Sequence, residues 1–76
     1  MTEKIIKIIG DVLKTPIDKN TSQYNCDKWD SLQHLNIIVA IEDTFDVSFE
    51  PEDIAKMKTV QDIELFIADY QFKRNN

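Results

Sequence analysis

The chain has 76 residues, 42% of them apolar, and a formal net charge of −5. A chain of this length hides only about 60% of its unfolded surface, which excludes two large ligand-binding lobes and an elaborate enclosed active site. Its apolar fraction suffices for a compact core, so disorder throughout is excluded, and its single cysteine, Cys26, excludes a secreted, disulfide-stapled scaffold.

One glycine and two prolines favour helices over a turn-rich β-sandwich. Residues 2 to about 15 read as an amphipathic helix. Thr2 is the expected cap, and Ile5, Ile8, Ile9, Val12 and Leu13 form its apolar face. Gly10 inside it costs about 1 kcal/mol relative to Ala. Pro16 disfavours helical geometry at Thr15 and ends the element. Residues 16–29, "PIDKNTSQYNCDKW", form a long polar connector that Ile17, Tyr24 and Trp29 are expected to tie to the bundle.

Asp30 opens the second helix as its cap, with Gln33 placed to reach back as in a capping box, and the helix runs to about Phe45. Pro51 suits the first turn of a short third helix, "PEDIAKM". Thr59 and Asp62 predict the start of a fourth, with Val60, Ile63, Phe66, Ile67 and Tyr70 as its apolar stripe and "KRNN" as a fraying tail. The expected fold is all-α: a small four-helix bundle of three longer helices and one short one, with a long connector between the first two. It forms a single domain over residues 1–76.

The second helix holds more apolar residues than one buried face can use. At roughly 100° per residue, Ile37, Ile38, Ile41 and Phe45 cluster on one side, free of carboxylates, and form the core face. Leu32, Leu35 and Val39 fall nearly opposite, among or beside Asn36, Glu42 and Asp43. Unpaired carboxylates are costly to bury, so this stripe is expected to be an exposed docking surface. The competing reading is that the connector folds over it and buries it.

Charge follows the same plan. Residues 27–54 hold eight acids and one base, whereas the segments on either side each carry +1. Such a patch repels nucleic acid and attracts basic protein surfaces; its plainer role is a solvated face that keeps the protein soluble. No apolar run is long enough to span a membrane and no export leader is visible, so a soluble, cytoplasmic monomer without membrane or nucleic-acid partners is expected.

Nothing assembles into a catalytic centre. His34, the only histidine, projects near the core side beside the connector and reads as a packing residue, since no partner acid or nucleophile is evident. One His and one Cys cannot supply a zinc site. Cys26, beside Asp27, reads as an inert loop cysteine. Ser31 has no base near it in sequence; if it acts, another enzyme modifies it.

Asp30-Ser31-Leu32 opening an acidic helix near mid-chain, followed by "AIEDTFDVSFEPEDI" and "TVQDIELFI", resembles the acyl carrier protein family over about residues 3–70. The resemblance implies a carrier, not an enzyme. Ser31 would hold a covalent 4'-phosphopantetheine arm whose thiol carries acyl groups as thioesters. A phosphodiester there would face the unpaired N–H groups and positive end of the helix. The implied partners are a phosphopantetheinyl transferase and acyl-loading and acyl-accepting enzymes with basic docking surfaces. These would read Asp30, Leu32, Leu35, Val39, Glu42 and Asp43.

The resemblance also implies a cleft that an acyl chain can enter, lined by Ile37, Ile38, Ile41, Phe45, Ile54 and Ile63, unless these are plain core. Lys28 and Trp29 depart from the family's usual approach to the motif, which has a Gly two residues before the Asp. Gln33 and Asn36 stand where carriers of general fatty-acid synthesis usually have acids. These departures point to a free-standing carrier for a specialised pathway. An aminoacyl or peptidyl carrier, or an unmodified helical interaction module, remain the alternatives.

Overall fold

A computed structural model of the protein describes residues 1–74. Four helices follow in order: α1 (Thr2–Leu13), α2 (Ser31–Phe45), α3 (Pro51–Lys56) and α4 (Val60–Arg74). This is the expected all-helical bundle with three long helices and one short one. α1 packs against both α2 and α4. Between them lie Ile5, Ile9, Ile37, Ile38, Ile41, Met57, Val60, Ile63 and Ile67, all essentially inaccessible to solvent. Each fully buried aliphatic side chain of this size contributes roughly 1.5–3 kcal/mol by leaving water.

The helix ends depart from expectation in instructive ways. Met1, not Thr2, occupies the cap position of α1 and makes no side-chain cap. The Thr2 hydroxyl instead donates to the Glu64 carboxylate on α4, joining the first helix to the last. α1 also stops before the Pro16 effect is felt. Lys14 turns into the left-handed region at φ 56°, and its N–H bonds Gly10 O. A non-glycine residue is uncommon there. α4 begins as expected, with Thr59 Oγ1 accepting from Asp62 N at 2.9 Å. The reciprocal bond, however, runs from Lys58 N to Asp62 Oδ2, one residue further out than a capping box requires.

The connector is held mainly by backbone pairing. Ser22 and Thr59 form an isolated antiparallel bridge, flanked by Gln23 N→Lys58 O at 2.9 Å and Val60 N→Thr21 O at 3.4 Å. Trp29 is buried and Ile17 packs against the core. Tyr24, the third expected anchor, is 79% exposed and contributes nothing to the core. The bridge bonds of Gln23 N and Thr21 O already tie the loop, and Ser22 between them pairs its N–H and carbonyl with Asn25, so the Tyr24 ring is not needed.

The end of α4 is likewise not a fraying tail. Lys73 and Arg74 are helical, and Arg74 donates to Asp46 O at 2.8 Å and Asp46 Oδ2 at 3.1 Å. Asp46 caps α2 in the left-handed region at φ 54°, so this contact clamps the ends of two helices together. Asn75 and Asn76 lie outside the described residues.

At Gly10 a Cβ would lie 3.4 Å from Thr15 O and 3.8 Å from Ile17 Cγ1. These are ordinary contacts, and glycine is not required by a positive φ. Gly10→Ala should therefore raise stability by up to about 1 kcal/mol, read as a higher urea midpoint at unchanged slope.

Candidate functional site

The candidate site is the first turn of α2 and the surface around it. Asp30 takes extended geometry at φ −92°, ψ −178°. Its Oδ1 accepts Gln33 N at 2.8 Å, and its carbonyl accepts His34 N at 2.8 Å. Only half of the expected capping box forms. The Gln33 side chain does not reach back; its Oε1 accepts from Asn36 Nδ2 at 3.0 Å, because residues three apart on a helix are neighbours. Ser31 is the first helical residue and is exposed. The N–H groups of Ser31 and Leu32 belong to the first turn, which has no preceding helical carbonyl to bond.

Leu32, Leu35 and Val39 are 69%, 54% and 59% exposed. The connector does not cover them, which removes the competing reading of this stripe. Asp30 and Asp43 are also exposed. Glu42 is different. It is half-buried, and its Oε2 accepts Phe49 N at 2.8 Å. Phe49 in turn packs edge-on to Phe66 and Tyr70. Glu42 thus braces the α2–α3 loop and is not a free member of the acidic rim.

On the opposite face, Ile37, Ile38 and Ile41 are fully buried, together with Ile63 from α4. Phe45 and Ile54 are half-buried against this core, and the Lys4 ammonium lies 5.5 Å from the centre of the Phe45 ring.

His34 is the polar member of the core face, 7% exposed. Trp29 Nε1 donates to His34 Nδ1 at 3.0 Å, and His34 Nε2 lies 2.9 Å from Ile54 O. An indole N–H only donates and a carbonyl only accepts. These partners fit the neutral ring with its proton on Nε2, which then donates to Ile54 O. The unusual Trp29 therefore has a packing and hydrogen-bonding role. The bridge runs from the connector through α2 to α3.

A groove of about 350 Å³ lies beside Ser31, between α2, α3 and the loops that precede α2 and α4. Gln23, His34, Leu35, Ile54 and Lys58 contribute to its walls. Its size is at the low end of small-ligand sites. Sequence reading missed Gln23 and Lys58, whose approach depends on the Ser22–Thr59 bridge and carries no local signal. Among the described residues, no cluster of His, Cys, Asp and Glu is placed to hold a metal ion. None of their helices is long and apolar enough to cross a membrane.

A family model described as a phosphopantetheine attachment site matches residues 3–67. The acyl carrier protein of Syntrophus aciditrophicus (strain SB) is 36% identical over 78 aligned positions, covering 99% of this chain and 92% of that protein. The chain belongs to the acyl carrier protein family. It is also similar to the acyl carrier protein of Buchnera aphidicola subsp. Schizaphis graminum (strain Sg), with 39% identity covering 78% of each protein. The solution structure of a holo acyl carrier protein from Geobacter metallireducens superposes with a TM-score of 0.81 at 25% identity, covering 96% of this chain and 87% of that one. Acyl carrier proteins are carriers, not enzymes.

Because Glu42 holds a backbone amide and Asp43 holds nothing in the core, the two acids should separate in stability. Glu42→Lys should cost about 1–3 kcal/mol by leaving Phe49 N without its acceptor. Asp43→Lys should stay within about 0.5 kcal/mol of the parent. Urea denaturation followed by circular dichroism reads both.

Proposed function

We propose that Ser31 is the attachment point of a covalent 4'-phosphopantetheine arm and that this chain delivers acyl groups between enzymes. The observation that carries the reading is the exposed Ser31 hydroxyl at the first position of α2, inside the matched attachment domain. The residues present fit such a group. The first-turn amides and the positive helix end favour the phosphodiester charge, Asp30 holds the turn in shape from one residue away, and the adjoining groove gives the arm a wall to lie against. When bound, the group supplies a terminal thiol that holds acyl groups as thioesters; the protein supplies position and address.

The address is the exposed face of α2. Leu32, Leu35 and Val39 offer apolar contact, and Asp30 and Asp43 attract a basic partner surface. Glu42 supports that surface from the loop side. The partners on this reading are a phosphopantetheinyl transferase and the enzymes that load and unload the arm, in the cytoplasm and in a specialised acyl pathway.

Co-expression with a broad-specificity phosphopantetheinyl transferase, followed by intact mass measurement, tests the assignment. The wild type should gain one phosphopantetheine and Ser31→Ala none. An unmodified wild type, or an arm retained in Ser31→Ala, would leave a helical interaction module as the better reading. In the same assay Asp43→Lys should slow modification, more at low salt than at high salt, because exposed charges are screened.

A further inference from the structure

We infer that the Trp29–His34–Ile54 bridge bars the way from Ser31 into the isoleucine core, so that this carrier holds its cargo at the surface groove and is suited to short or polar acyl groups, not long alkyl chains. The inference rests on Ser31 being the attachment point.

His34 forms part of the wall of the groove beside Ser31. None of Ile37, Ile38, Ile41 and Ile63 contributes to its walls; they lie beyond, closed to solvent. The imidazole is fixed from two sides, by the indole N–H at 3.0 Å and by Ile54 O at 2.9 Å. The Trp29 and His34 rings also stack, with centroids 6.0 Å apart and planes at 27°. A chain entering the core from Ser31 has to displace His34 or lift α3 from α2.

Either movement breaks the bridge. Ile54 O would keep one partner, the Met57 amide at 3.2 Å. Lifting α3 would leave the His34 Nε2 donor without its partner, and displacing His34 would strand the Trp29 donor as well, in a site where both residues are buried. A buried polar group without a partner is costly, and the other polar residue buried among the described residues, Ser22, already accepts Tyr24 N at its Oγ. The groove itself offers a mixed lining. Gln23 and Lys58 suit a polar or anionic group, and Leu35 and Ile54 cover a few carbons.

The test loads the wild type with acetyl-, butyryl-, octanoyl- and dodecanoyl-phosphopantetheine, using the matching coenzyme A thioesters and a broad-specificity transferase. Intact mass comes first: failure to load overturns the attachment reading and this inference with it. With loading established, burial of an alkyl chain would raise the melting temperature with each added methylene. The expected result is a melting temperature independent of chain length, with methyl shifts at Leu35 and Ile54 but not at Ile37, Ile38, Ile41 or Ile63. A stepwise rise together with shifts at those four buried isoleucines overturns the inference and leaves the attachment site intact.

Two variants assign the barrier. His34→Val removes the polar bridge, and Trp29→Phe removes one donor while keeping an aromatic ring. Whichever of them folds should acquire the chain-length dependence that the wild type lacks. A folded variant with a flat series overturns the assignment of the barrier to this bridge.

Discussion

The rotational setting of α2 governs the molecule. Its inward face carries Ile37, Ile38 and Ile41, all closed to solvent. Once these point to α1 and α4, helical geometry leaves no choice for the remainder. Leu32, Leu35 and Val39 must face water, and Ser31 emerges at the exposed start of the helix. The same rotation brings His34 inward, where a polar ring needs two partners and finds them in Trp29 and Ile54. One packing decision thus sets the core, the exposed apolar stripe and the exposed hydroxyl of Ser31.

The loops hold that setting. The Ser22–Thr59 bridge fastens the long connector to the α3–α4 turn. Glu42 fastens the α2–α3 loop through Phe49 N. Asp46 and Arg74 join the far ends of α2 and α4. The salt bridges are exposed and each contributes little alone. The bonds to backbone groups matter more, because they satisfy amides and carbonyls that the helices leave open. A small bundle can therefore keep α2 in a fixed orientation while Ser31 remains at the surface.

Much of this was legible in the sequence. The apolar periodicities of α1, α2 and α4 mark their core faces, and the carboxylates among Leu32, Leu35 and Val39 mark that stripe as exposed. Asp30, Thr59 and Pro51 announce three helix starts through local chemistry. What was not legible depends on distant partners. Thr2 looks like a cap until Glu64 on α4 takes its hydroxyl. Tyr24 looks like an anchor until backbone pairing makes one unnecessary. Glu42 looks like a rim charge until the loop folds back to meet it. Trp29 looked anomalous because its partner, His34, lies five residues on across a helix start, and His34 is completed only by Ile54 from another helix. The groove beside Ser31 was hidden for the same reason, since Gln23 and Lys58 reach it from separate loops.

The two-faced character of α2 is open to direct measurement by methyl NMR with a soluble paramagnetic agent. The methyl signals of Leu32, Leu35 and Val39 should broaden strongly, and those of Ile37, Ile38 and Ile41 should stay sharp. Protection of Leu32, Leu35 and Val39, or equal broadening on both sides of the helix, would contradict the rotational setting on which the core, the exposed stripe and the exposed Ser31 all depend.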